Sequence, residues 1–199
     1  MSVLLCYSLL NELEQFKDKE LPPIHLWDPQ HVSDIDMEIG DDGTWYHDGA
    51  AIKRQRLVRL FSTLLRREAD GEYYLVTPVE KCRVSVNRAP FMAVLMTATG
   101  HDKNQQLTFT TNVADVVTVD AQHPMVFQRD SLGVYVPLVE VRNGLLALLD
   151  RNAYNALMAL ATCDDFEGED FYGFWSSGVF YPMQLATEVD ASGSDNSNT

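Results

Sequence analysis

Residues 137–162 read PLVEVRNGLLALLDRNAYNALMALAT, and the class of fold turns on them. Two short β-prone runs, PLVEVR and LLALL, flank Asn143-Gly144, a dipeptide that tolerates positive φ and so favours the tightest hairpin turn. Asp150 follows, with a side chain suited to accept from the free N–H groups of a helix start. A helix is therefore expected from Arg151 to about Thr162. A hairpin running straight into a capped helix speaks for a sheet with a helix laid on it.

Working outward, the same order occurs earlier. IDMEI, Asp42-Gly43 and TWYHDG give a hairpin signal. From Lys53 to Glu68, the residues Leu57, Leu60, Phe61, Leu64 and Leu65 recur at helical spacing, with Gln55, Arg59, Ser62 and Arg66 opposite them. Ala69, Asp70 and Gly71 are expected to close this helix, and EYYLVTP and KCRVSV to follow as strands. Placing Arg151 on Arg54 aligns Tyr154, Leu157, Met158 and Ala161 with Leu57, Leu60, Phe61 and Leu64. Beyond each helix, an acidic or Gly-containing loop leads to an aromatic strand ending in proline, YYLVTP before Val79 and GVFYP before Met183. Between the two halves, FMAVLMTA, QLTFTT, DVVTV and MVFQR all read as strands.

The expected fold is thus α+β, with two domains and a repeated β-hairpin, helix, strand unit around mainly antiparallel sheets. Its expected divisions are a peripheral N-terminal helix at 1–20, an N-terminal α+β domain at 21–86, a C-terminal α+β domain at 87–186 and a disordered tail at 187–199. The tail ends in ASGSDNSNT, which carries no large apolar anchor.

Charge narrows the partners. Twenty-nine acids against 15 bases leave a net charge of -14, which disfavours nucleic acid, because affinity for phosphate backbones comes largely from counterions released at Lys and Arg. Six of the bases, Lys53, Arg54, Arg56, Arg59, Arg66 and Arg67, share one short segment, and none follows Arg151. They form either one basic surface on an acidic body or an ordinary solvated helix face. The opening MSVLLCYSLL has no basic flank, and Asn11 and Glu12 end it short of the roughly 20 apolar residues of a membrane span. Cys6, Cys82 and Cys163 are odd in number and far apart, which fits a reducing cytoplasm.

No phosphate-loop, dinucleotide-binding or nucleophile-elbow motif is present. Asp34, Asp36 and Glu38 suggest a calcium loop until Ile39 and Trp45 occupy the places of its glycine and glutamate. His25 and His31 lack the one-turn spacing of a helical metal pair, so neither metal nor cofactor is expected. A hydrolase would draw on Ser176 or Ser177 as nucleophile, His123 as base and Asp115 as orienter. The positive residues make the stronger constellation. Arg59 and Arg66 stand seven residues apart on one expected helical stripe beside Arg54, and guanidinium forks suit phosphate or carboxylate. Thr77, Glu80 and Lys81 flank Pro78 at a strand end, Arg142 lies at the second hairpin, and Trp175 offers a flat ring. Together they describe a cleft for a small anionic, nucleotide-based ligand that is bound without catalysis. A protein-interaction module without a small ligand remains the alternative.

At TWYHDG, LVRLFSTLLRRE, YYLVTPVEK, TNVADVV and FWSSGVFYP, over Leu21 to Pro182, the chain resembles a bacterial family known only as domain of unknown function number twelve eighty-five. The resemblance implies a cytoplasmic two-domain α+β protein with repeated motifs and an interdomain cleft for a nucleotide-like ligand in signalling. No activity comes with it. Its motifs single out Arg59, Thr77, Glu80 and Lys81, with Asn112 and Asp115 in TNVAD. Where the family pattern starts its helix with Gly-Arg-Lys-Pro, this chain has Lys53-Arg54-Gln55-Arg56.

Overall fold

The computed structural model describes residues 21–129 and 133–189. The helix expected at 1–20 lies outside the described residues, as does the tail from 190. The chain divides between Arg88 and Ala89 into two units.

The N-terminal unit is a six-stranded sheet with one helix. After a short 3-10 turn at Ile24–Leu26 come β1 (His31–Ile39), β2 (Trp45–His47), β3 (Ala50–Ala51), helix α1 (Gln55–Leu64), β4 (Leu65–Arg67), β5 (Tyr73–Val76) and β6 (Glu80–Val86). The strand order is β3-β2-β1-β6-β5-β4, antiparallel throughout except where β1 runs parallel to β6. Asp42-Gly43 lies in the β1–β2 turn, as its composition predicts, closed by the Gly40 N–H to the Thr44 carbonyl at 2.9 Å.

Three readings of this unit need correction. Helix α1 stops at Leu64, short of the expected Glu68, so Arg66 is a strand residue and shares no helical stripe with Arg59. Asp70-Gly71 turns β4 into β5 and does not stop a helix. There the Gly71 N–H reaches the Glu68 carbonyl at 3.0 Å, and Asp70 accepts from the Glu72 N–H at 2.9 Å. The buried stripe of α1 is also rotated from the expected one and runs through Val58, Phe61, Ser62 and Leu64. Buried Ser62 is satisfied by its own helix, since its hydroxyl donates to the Arg59 carbonyl at 2.7 Å. Phe61 stacks on fully buried Trp45 at 6.2 Å between centroids and joins helix to sheet.

The C-terminal unit comprises β7 (Phe91–Thr99), a 3-10 turn at Asp102–Asn104, β8 (Gln106–Thr111), β9 (Val116–Thr118), β10 (Met125–Arg129), β11 (Tyr135–Arg142), β12 (Leu145–Leu149), helix α2 (Arg151–Met158), β13 (Thr162–Phe166), β14 (Glu169–Ser176) and β15 (Val179–Leu185). Asn143-Gly144 makes the expected β11–β12 turn with φ of 48° and 75°, and the Asp150 carboxylate caps α2 by accepting from the Ala153 N–H at 2.7 Å. The segment after α2, read as an acidic loop before one strand, is a complete hairpin. Glu167-Gly168 and then Ser177-Gly178, all at positive φ, form the two turns of the three-stranded sheet β13-β14-β15.

The repeated hairpin, helix, strand unit is not confirmed. After α1 the chain returns to the same sheet, whereas after α2 it builds a separate one. What the units share is strand order. The second six-stranded sheet runs β10-β11-β12-β7-β8-β9, and numbering its strands from β7 reproduces the order of the first, again with one parallel pair between first and last strands, β7 and β12. The helices enter this common plan at different places, α1 between its third and fourth strands and α2 after its sixth.

Because Phe61 links α1 to the sheet through Trp45, Phe61→Ala is expected to cost about 3–5 kcal/mol in urea unfolding, the range for deleting a buried phenylalanine. A loss below about 1 kcal/mol would show that the helix is not held by this contact.

Candidate functional site

The start of α1 breaks the usual electrostatic rule for helices. Arg54 occupies the N-cap position and gives no side-chain cap hydrogen bond, and the first turn contains no acid. Lys53, Arg54, Arg56 and Arg59 are all exposed around it. A helix N-terminus carries about half a positive charge, so each cation there costs roughly 0.3–1 kcal/mol where an acid would stabilise. Arg56 and Arg59, three residues apart on one face, repel each other as well. Helix α2 also lacks an acid in its first turn and begins with Arg151, but its Asp150 N-cap supplies the side-chain acceptor and negative charge that α1 lacks.

Arg66, Lys81 and Arg83 of this unit are engaged in its structure. Arg66, Tyr74 and Arg83 lie in register across β4, β5 and β6, which places them on one sheet face. Arg66 Nη1 donates to the carbonyls of Ile24 at 2.6 Å and Trp27 at 2.8 Å, and its Nε donates to Glu68 at 3.0 Å. The Lys81 ammonium joins the same Glu68 carboxylate at 3.5 Å and sits 5.0 Å from the Tyr74 ring centroid. Thr77 is 4% exposed, and its hydroxyl accepts from the Glu80 N–H at 3.0 Å and donates to the Glu80 carbonyl at 2.9 Å, closing the β5–β6 turn. Glu80 in turn accepts from the Ser33 hydroxyl at 3.4 Å.

In the C-terminal unit the structure brings Asn112, Asp115 and Arg142 together beside β7. The Asn112 side chain accepts from the Met92 N–H at 3.1 Å, Arg142 pairs with Asp115, and the Arg142 guanidinium lies 4.8 Å from the centroid of Phe91. Trp175 stands apart from them. Its Nε1 donates to Asp164 at 3.0 Å, and the Lys103 ammonium sits 4.7 Å from its ring centroid.

Of the hydrolase candidates, Ser176 and Asp115 are engaged in the fold, and the Ser177 hydroxyl donates to the Val119 carbonyl at 2.9 Å. Ser176 is fully buried, with its hydroxyl accepting from the Leu107 N–H at 3.0 Å and donating to the Val119 carbonyl at 2.7 Å. Asp115 is paired with Arg142, and the carboxylate beside His123 is Asp120, which accepts from the His123 backbone N–H at 2.8 Å. Among the described residues no group of three or more His, Cys, Asp or Glu side chains could hold a metal ion, and no helix is long and apolar enough to cross a membrane.

A groove of about 490 Å³ that sequence reading missed lies at the β1–β2 turn, lined by Glu38, Asp41, Asp42, Tyr46 and Asn87. The backbone and hydroxyl of Thr44 hold the Asp42 carboxyl below its ordinary pKa. Three carboxylates make the groove a poor host for an anion. Two of its acids stand out in the sequence, Glu38 in the Asp34, Asp36, Glu38 run and Asp42 in the Asp42-Gly43 turn, but no local pattern joins them.

The fold and these sites define a two-domain, sheet-dominated α+β protein. Residues 22–89 match the domain of unknown function DUF1285, N-terminal domain, and residues 90–183 match the protein of unknown function DUF1285, C-terminal domain; the chain belongs to this family. The crystal structure of a DUF1285 family protein from Silicibacter pomeroyi DSS-3 is similar at 43% identity and a TM-score of 0.80, over 87% of this chain and 93% of that one. One from Shewanella baltica OS155 is similar at 26% identity and a TM-score of 0.51, over 63% of this chain and 91% of that one. No curated protein matches the chain.

The Arg66 contacts predict a split between two neighbouring cations. Arg66→Ala is expected to lower stability by about 3 kcal/mol, since it strands two carbonyls and a partly buried carboxylate. Lys81→Ala is expected to cost about 1 kcal/mol or less. Equal losses in chemical denaturation would remove the distinction.

Proposed function

We propose that the protein binds a small anionic metabolite of the nucleotide type at the start of α1 and does not turn it over, which is a sensing role. The observation that carries this reading is the uncapped helix start ringed by Lys53, Arg54, Arg56 and Arg59. Charge set against the helix dipole weakens the free protein, and a phosphate or carboxylate placed there relieves the repulsion while accepting from N–H groups of the first turn. Sequences depart from local consistency mainly where function requires it. A net charge of -14 repels long polyanions while this local concentration of cations attracts short ones, which favours a small ligand over nucleic acid.

The test is a thermal-shift screen of nucleotides and inorganic phosphate, followed by calorimetry on the best ligand and product analysis. Arg59→Ala is expected to weaken binding by about 1.5–3 kcal/mol, the range for a hydrogen bond to a charged group. Arg54→Asp is expected to abolish binding yet stabilise the ligand-free protein by about 0.5–2 kcal/mol, because it supplies the missing cap. Unchanged affinity in both variants would remove the site, and a converted product would replace sensing with catalysis.

A further inference from the structure

The three-stranded sheet has two faces of different character. One packs inward: Phe174 is fully buried and stacks on Phe127 at 5.8 Å, while Ser176 is bonded to Val119 and Leu107. Strand register puts Asp164, Phe166, Phe171, Trp175 and Phe180 on the other face. Its rings form a continuous run, with centroid separations of 5.9 Å from Phe171 to Phe166, 6.4 Å from Phe166 to Phe180 and 5.3 Å from Phe180 to Trp175. Gly173 keeps this run close to the sheet, because a Cβ there would stand 2.7 Å from Cζ of the Phe180 ring. Phe166, Phe171 and Trp175 all remain partly exposed, while Phe180, the ring that joins them, is buried beneath.

Charge at the rim is of one sign. Glu169 lies opposite Phe166 on the aromatic face and Glu167 is in the adjoining turn, both exposed, whereas Asp165 and Asp170 pair on the opposite face of the β13–β14 hairpin; no Lys or Arg occurs between Thr162 and Leu185. At one end of the run the protein already seats a cation of its own, with Lys103 over the Trp175 ring beside the carboxylate of Asp164. Aromatic faces attract ammonium and guanidinium groups through the negative face of the ring, and carboxylates beside them add to that attraction.

We infer that this face is a docking surface for a basic segment of a partner protein, one that lays Lys or Arg side chains across Phe166, Phe171 and Trp175 while their charges meet Glu167 and Glu169. Charge complementarity selects this occupant. A second copy of the chain carries -14 overall and offers only the cluster around Arg54, so self-association that Arg54→Asp abolishes is the competing outcome, and an anionic lipid surface would be repelled. An aromatic run several rings long also offers more area than one small cation covers. The inference is independent of the anion site at α1.

The experiment is fluorescence anisotropy with a short labelled peptide in which Arg and Lys alternate with Leu, titrated with the full chain. The expected result is binding that falls about tenfold or more, equivalent to about 1.4 kcal/mol, in Phe166→Ser and in the double variant Glu167→Gln, Glu169→Gln. The double variant leaves the aromatic run intact, so it remains informative if Phe166→Ser unfolds. Neutralising Asp28, Asp34 and Asp36 in the N-terminal unit is the control and is expected to leave affinity unchanged. Equal loss in that control would reduce the effect to net charge and overturn the proposal. Equal binding of a peptide with Glu in place of each base, or full displacement of the peptide by putrescine at comparable concentration, would overturn it too.

Discussion

Each unit is held by a parallel pairing between the first and last strands of its six-stranded sheet. His31 faces Glu80 at one end of the first seam and Ile39 faces Val86 at the other, while in the second seam Ala147 lies against Phe91, both fully buried. The remaining strands spread outward from the seam as antiparallel neighbours. Parallel strands cannot be joined by a tight turn. Here the crossover is the rest of the sheet, which travels to one edge, passes to the other and returns. The pairing is non-local, so its contacts form only after a long loop has closed.

That seam explains what the sequence could and could not disclose. Turn chemistry is local, and Asn143-Gly144, Asp42-Gly43 and the Asp150 cap were all readable. Asp70-Gly71 was equally visible but was taken as a helix stop, because apolar spacing continues through Leu64 and Leu65 into a strand that uses the same residues. The β13–β14 hairpin was hidden by its acids, since Asp and Glu are uncommon in strands. No local pattern records which strand lies beside β1 or β7. The repeat was therefore sought in the helices, which look alike, when it resides in the order of the strands.

The candidate site was legible in the same uneven way. The cluster of Lys and Arg around LVRLF is visible in composition, but the division of labour within it depends on where α1 ends. Arg54 and Arg59 stay exposed on the helix, while two residues past its end Arg66 turns to hold the carbonyls of Ile24 and Trp27. Trp175 shows the reverse case. Its ring was read as a platform for an anionic ligand, and its surroundings, Asp164 and the hairpin acids, favour positive charge.

The direction of the seam also has a mechanical meaning. Because β1 and β6 run the same way, the chain enters the first sheet at one end of the seam and leaves it at the other. Tension drawn along the backbone through that unit falls on the two strands as a lap joint pulled lengthwise, loading in shear the pairing of His31–Asp34 with Glu80–Arg83 and, beyond a break in register, that of Glu38 and Ile39 with Ser85 and Val86. An antiparallel hairpin pulled from its open end yields one bond at a time, like a zip. The strands β2 to β5 lie outside that direct path, so the β1–β6 pairing is the join that takes the load first.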